Sequence, residues 1–307
     1  MKDSAGRNID YLRISVTDRC NLRCIYCMPE TGVPMLDHHD ILSLEEIAIL
    51  AGIVNSVAGL RKIRVTGGEP LIRRGIVSLV RELANICETV LTTNGLLLPE
   101  YAESLAEAGL SRVNISLDSL SDRVIARVTR RDMTLRHTEN AILAAKKAGL
   151  VPVKVNCVVL KGINTHEVSE MVKWAGGMDV MLRFIEHMPM EGSSCGYHSG
   201  DELLHSLEPV EYIGTQGTAR LYRMPNGNVF GIVAPVCTDM CSSCTRLRLT
   251  ADGSLLPCLA GGEPLNLKEL LRSGADLEKI REEIVKLVLS KPHKGRCGGV
   301  RMWRIGG

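Results

Sequence analysis

The chain has 307 residues, with 37 Lys+Arg against 35 Asp+Glu, 45% apolar residues and 11 Cys. That balance excludes a disordered tail protein, and the scattered basic residues leave no footprint for duplex nucleic acid or an anionic membrane. The opening MKDSAGRNIDYLRISV has no apolar leader core, and no stretch approaches the roughly 18 apolar residues of a spanning helix, so a cytoplasmic protein is expected. An odd number of cysteines in so long a chain points to metal or redox chemistry rather than a disulfide scaffold.

Six segments rich in β-branched residues read as buried strands: 11–18, 62–66, 89–93, 112–118, 153–160 and 180–186. Helical patterns lie between them. The one over 43–58 opens on an S-x-x-E capping box, Ser43 with Glu46, while those over 99–108 and 137–148 run into Gly109 and Gly149, placed to close a helix in the left-handed conformation. Strict alternation predicts a parallel sheet with right-handed crossovers, either doubly wound or curling into a barrel. Polar residues at the strand ends favour a partial (β/α)6 barrel of the TIM type: Thr66 to Glu69, Thr92 to Asn94, Ser116 and Asp118, Lys154 and Asn156, Arg183 and Glu186. Past residue 190 the alternation stops. Short strands are expected over 220–223 and 228–233 and a helix over 277–289, with the chain divided near 220–235 into residues 1–225 and 226–307.

The cysteines sort into two sets. Cys20, Cys24 and Cys27 form a C-x3-C-x2-C run just after the first strand, which suits a [4Fe–4S] cluster with one iron lacking a protein ligand. Zinc closed by His38 or His39 is the alternative. Cys241, Cys244 and Cys258 lie near the other end, and Cys237 repeats the C-x3-C-x2-C spacing with them. A structural zinc or a fully ligated cluster using all four stays open. Arg246 and Arg248 beside the second set supply fixed positive charge that a purely structural site does not need.

The first run, with Tyr26 inside it, and Gly67-Gly68-Glu69-Pro70 after the second strand resemble the signatures of the radical S-adenosylmethionine (SAM) superfamily. The stretch from Thr245 to Gly253, with the terminal Ile305-Gly306-Gly307, resembles the GTP 3′,8-cyclase family, and the likeness runs from Arg13 to the end. The resemblance implies two [4Fe–4S] clusters and SAM as cofactors, and a C-terminal iron–sulfur domain closing the open barrel. It assigns the first cluster to Cys20, Cys24 and Cys27 and the second, with an open iron approached by guanine, to Cys241, Cys244 and Cys258. It implies SAM contacts at Tyr26, Gly68, Ser116 and Met188, with the Gly67-Gly68-Glu69 backbone and side chain on the SAM amine. GTP contacts fall at Arg13, Arg64, Thr92, Lys154, Arg246, Leu247 and Arg248. Arg248, Gly306 and Gly307 are the implied catalytic positions. Cys237 and Cys297 lie outside that ligand set, and Cys87, Cys157 and Cys195 read as incidental thiols.

GTP carries about four negative charges, which five cations at Arg13, Arg64, Lys154, Arg246 and Arg248 would meet. The implied reaction is radical cyclisation of GTP to 3′,8-cyclo-7,8-dihydroguanosine triphosphate, the first step toward the molybdenum cofactor. The radical takes hydrogen from C3′, C3′ adds to C8, and one electron and one proton are returned. Implied partners are a flavodoxin- or ferredoxin-type donor and cyclic pyranopterin monophosphate synthase, and a homodimer is compatible. The rival readings are a peptide-modifying radical SAM enzyme and a ferredoxin-like electron carrier.

Overall fold

The computed structural model describes residues 1–188, 199–205, 207, 209–234, 241–259 and 262–294. Its strands and helices run in the order β1 (Tyr11–Ser15), α1 (Leu44–Ala58), β2 (Lys62–Thr66), α2 (Ile76–Ala84), β3 (Glu88–Thr93), α3 (Leu98–Glu107), β4 (Arg112–Ser116), α4 (Asp122–Thr129), α5 (Leu135–Lys147), β5 (Lys154–Val159), α6 (Val168–Gly177) and β6 (Met181–Glu186). There follow α7 (Gly200–His205), β7 (Glu211–Gln216), β8 (Ala219–Arg223), β9 (Val229–Val233), β10 (Arg246–Leu249), β11 (Ser254–Leu256), β12 (Leu265–Asn266), α8 (Leu267–Arg272) and α9 (Leu277–Leu289). All six expected strands form. The first, fourth and fifth stop short of Asp18, Asp118 and Leu160, where the chain turns away to build loops.

Local chemistry sets the helix ends. Ser43 Oγ accepts from Glu46 N at 3.1 Å while the Glu46 carboxylate accepts from Ser43 N at 2.7 Å, so two otherwise orphaned donors at the start of α1 are satisfied. Gly109 and Gly149 close the turns after α3 and α5 at φ +90° and +76°.

β1 to β6 pair in sequence order, every pair parallel. The pleat sorts their side chains. Leu12 and Ile14 of β1 and Ile63 and Val65 of β2 are wholly buried in one apolar core with the flanking helices, while Tyr11, Arg13 and Arg64 stand at the alternate positions. Arg183 on β6 lies within electrostatic reach of Tyr11 and Arg13 on β1. Six strands about 4.8 Å apart would hold those residues roughly 24 Å apart in a flat sheet, so the sheet curls into a partial barrel.

The C-terminal part joins this same sheet at both edges. β9 pairs parallel with β6, and β10 pairs parallel with β1, in a 12-strand order β12-β11-β10-β1-β2-β3-β4-β5-β6-β9-β8-β7. The junction at 225/226 falls in the turn between β8 and β9, which are antiparallel partners. Among the described residues no helix is long and apolar enough to cross a membrane.

Candidate functional site

Cys20, Cys24 and Cys27 sit on the loop leaving the C-terminal end of β1. Its shape is imposed from outside: Arg23 N donates to Thr129 O at 2.9 Å and Ile25 N to Val128 O at 3.0 Å, which fastens the loop to the end of α4. Arg130, left-handed at φ 53°, adds a bond from Nη1 to Met28 O at 3.1 Å. Burial raises all three thiols, Cys27 to about 12 and Cys24 well above its ordinary value. A cation bonded to the sulfurs would offset that cost.

The Gly67-Gly68-Glu69 turn after β2 lies directly on this loop. Gly68 N donates to Thr17 O at 2.7 Å and Glu69 N to Arg19 O at 2.8 Å. A Cβ at Gly68 would fall 2.1 Å from Arg19 O, so only glycine permits the approach. Glu69 is 1% exposed, and its carboxylate accepts from Leu71 N, Thr93 Oγ1 and Asn94 N, so the side chain braces the turn. Tyr26 likewise commits its hydroxyl, donating to Asp118 Oδ2 at 2.9 Å, while Asp118 Oδ1 accepts from Val158 N. Ser116 ends β4 and Met188 follows β6, both half-buried.

Below the loop lies a lane of cations. Arg13 stands in register with Arg64 of β2 on one side and Arg248 of β10 on the other, and Tyr11 with Arg246. Arg64 donates from Nε to Tyr11 Oη at 2.5 Å and from Nη1 to Thr92 Oγ1 at 2.9 Å. Burial lowers Arg13 to about 10 with Arg64 and Arg246 adding to it, and burial with Arg64 lowers Arg183 to about 10. Lys154 is lowered to about 8 by burial and by Arg183, Arg112 and Arg64. Burial alone would raise Tyr11, but Arg64 and Arg13 outweigh it and bring the phenol down to about 8. Each of these shifts marks cations crowded where water is scarce, a place suited to a polyanion.

Three sequence expectations change here. Lys154 opens β5 and Arg183 lies in mid-β6, so these two face the interior rather than the C-terminal rim. Leu247 is wholly buried in the apolar core, because the pleat turns it opposite to Arg246 and Arg248; only its backbone is available to a ligand. Arg183 was not among the expected binding residues. Asn156 Oδ1 accepts from its Nε and Nη2 at 3.1 and 2.6 Å, and Asn114 Oδ1, oriented to accept, lies 2.6 Å from Arg183 Nη2 and 2.8 Å from Arg64 Nη1. Its place in an alternating strand was the available signal.

Cys241 and Cys244 form a turn just before β10, and Cys258 follows β11. Because β10 runs parallel to β1 from Arg246 opposite Tyr11, this trio lies at the N-terminal end of the strands, opposite to the first. Burial raises Cys244, but Arg246 and Lys291 outweigh it and lower the thiol to about 7. None of the eight described cysteines is in a disulfide. Cys195, Cys237, Cys297, Gly306 and Gly307 lie outside the described residues.

Both trios fit an iron–sulfur cluster better than zinc. Each trio offers three thiolates, which suits a [4Fe–4S] cluster with one iron lacking a protein ligand, whereas a closed zinc site asks for a fourth donor. His39 faces Asp40 instead, at 3.5 Å.

Comparison with known proteins agrees with this geometry. Residues 14–175 match the family model described as the radical SAM superfamily, and residues 180–296 match the one described as Molybdenum Cofactor Synthesis C. Among solved structures, Streptococcus suis SuiB bound to its precursor peptide SuiA is similar with TM-score 0.61 at 14% identity, over 94% of this chain and 72% of that one. The fold and the first cysteine loop define a radical SAM protein. The GTP 3′,8-cyclase of Thermodesulfovibrio yellowstonii is 46% identical over 95% of this chain and 94% of its own, and that of Moorella thermoacetica 44% identical over the same shares. The chain belongs to the GTP 3′,8-cyclase family. Radical SAM proteins bind a [4Fe–4S] cluster and SAM, and this family has an additional C-terminal cluster.

Proposed function

We propose that this chain cyclises GTP to 3′,8-cyclo-7,8-dihydroguanosine triphosphate by radical SAM chemistry, in the cytoplasm, at the start of molybdenum cofactor synthesis. The observation that carries the reading is the lane of cations, Arg13, Arg64, Arg183, Arg246 and Arg248, strung between two cysteine trios at opposite ends of the same strands. The cluster at Cys20, Cys24 and Cys27 with SAM supplies a 5′-deoxyadenosyl radical when bound. Everything else is positioning by the chain. The Gly67-Gly68 backbone, Ser116, Met188 and the ring of Tyr26 hold SAM at the upper end. Arg13, Arg64, Lys154, Arg183 and Arg248 take the phosphates, Thr92 the sugar side, and Arg246 with the Leu247 backbone the guanine end at the second trio, Cys241, Cys244 and Cys258. Held so, the ribose faces one end and the base the other, which brings C3′ toward C8 and excludes water.

In functional terms residues 1–225 form the SAM-binding part and 226–307 the guanine-binding part, with Gly306 and Gly307 assigned to catalysis on the resemblance alone. A flavodoxin- or ferredoxin-type protein supplies electrons, and the product passes to cyclic pyranopterin monophosphate synthase. The test is anaerobic incubation of the reconstituted protein with SAM, dithionite and each ribonucleoside triphosphate in turn. GTP alone should give a cyclised product together with 5′-deoxyadenosine; equal product from ATP, or none from GTP, overturns the reading.

A further inference from the structure

Each cysteine of the second trio lies within two residues of a main-chain carbonyl held by one of two buried cations. Arg7 Nη1 donates to Cys241 O at 2.8 Å. Lys291 Nζ donates to Arg246 O, two residues past Cys244, at 2.8 Å, and to Pro257 O, next to Cys258. The two cations are linked in turn, since Arg7 Nη2 donates to Lys291 O at 3.2 Å and to Pro292 O at 3.0 Å. Arg7 is answered by Asp3, whose carboxylate accepts from Nε at 2.6 Å and from Arg7 N at 2.9 Å. Asp3 and Arg7 are each 6% exposed and Lys291 only 2%.

Water could satisfy those carbonyls on a surface loop at little cost, whereas burying an ammonium is strongly unfavourable unless a negative group lies nearby. Asp3 answers Arg7 alone. Burial pulls Lys291 down, with Arg7 and Arg246 adding to it, and Cys244 and Cys258 are the groups that oppose the pull; Nζ itself sits on the carbonyls of Arg246 and Pro257, beside those two ligands. We propose that Lys291, set in place by the Asp3–Arg7 pair, is a positioning residue of the second cluster and the buried positive charge that raises its reduction potential. The inference rests on the reading that Cys241, Cys244 and Cys258 hold a cluster. A fixed cation beside a cluster favours its reduced, more negative state, and hydrogen-bonded ligand loops fix its geometry.

The test is a redox titration of both clusters in the reconstituted full chain, comparing the unmutated protein with Lys291→Gln and Lys291→Met. Glutamine keeps a donor for the two carbonyls without the charge, and methionine keeps neither. Both variants should make the second cluster at least about tenfold harder to reduce, which is about 59 mV for one electron, while the first cluster in the same molecule keeps its potential. Methionine should also lose iron from the second site that glutamine retains. Full iron with an unshifted second potential in both variants overturns the proposal. Should neither variant be soluble, Arg7→Gln, which removes the pair that sets Lys291 in place, decides: a second potential lowered while the first stays put supports the proposal, and an unshifted second potential with full iron overturns it. Failure of the unmutated chain to bind more than one cluster would instead sink the underlying assignment.

Discussion

Gly68→Ala places one methyl group where the structure has no room for it. Its Cβ would lie 2.1 Å from Arg19 O and 2.5 Å from the carbonyl carbon, so one of the two loops must retreat by about 1.3 Å to bring that 2.1 Å to the 3.4 Å of ordinary contact. That retreat breaks the bonds from Gly68 N to Thr17 O and from Glu69 N to Arg19 O, now 2.7 and 2.8 Å. Two lost hydrogen bonds at about 1 kcal/mol each and about 1–3 kcal/mol of overpacking give a destabilisation of about 3–5 kcal/mol. The same displacement moves the cysteine loop against the turn that faces SAM, so 5′-deoxyadenosine formation should fall at least about tenfold. Gly52→Ala is the control: it lies in α1 with nothing within 4 Å of its Cβ, and should stabilise by about 0.5–1 kcal/mol. Urea unfolding and anaerobic SAM cleavage read the two effects. A Gly68→Ala protein within about 1 kcal/mol of the unmutated one, cleaving SAM at the unmutated rate, would refute the reasoning from close approach.

Cys24→Ala should abolish 5′-deoxyadenosine formation, whereas Cys157→Ala, 1% exposed on the outer face of β5, should cost about 1–2 kcal/mol and leave the iron content unchanged. Burial raises Glu69 to about 7 from 4.5, so the folded chain keeps a proton that the unfolded chain loses. Stability from this group is therefore full below about 4.5 and lost as pH rises to about 7; the stability difference between unmutated protein and Glu69→Gln, followed by urea melts, should shrink across that window. Lys154 loses its charge as pH rises through about 8, so the KM for GTP should climb above that pH, less steeply in Lys154→Met. Deleting Gly306 and Gly307 should leave iron content and SAM cleavage intact while cyclised product falls by orders of magnitude; unchanged product yield sinks their assignment.

What could be read in advance was what short-range chemistry decides. The capping box at Ser43, the glycines after α3 and α5 and the β-branched runs act within a few residues, and they form as expected. The α4 helix stood out little because its buried positions, Ile125, Val128 and Thr129, are few and sit among charges. β10 did so for another reason: Arg246-Leu247-Arg248-Leu249 alternates like a strand, yet its partner is β1, more than 230 residues away. The Glu69 brace depends on Thr93 and Asn94 arriving from the next strand, and no local pattern announces that meeting. Arg183 was visible as a polar residue in a buried strand, but the two asparagines that aim it come from β4 and β5.

The pairing of β1 with β10 also bears on how the chain emerges from the ribosome. Tyr11 through Ile14 are made more than 230 residues before their neighbours on one side, Arg246 through Leu249. Until then β1 exposes a bare strand edge, with apolar Leu12 and Ile14 beside it, a template for pairing with other nascent chains. At about 5–20 residues per second that exposure lasts on the order of ten seconds or more. A fragment ending at residue 225 would keep the open edge permanently and should aggregate. Synthesis through residue 249 ends the hazard by supplying the strand that covers β1.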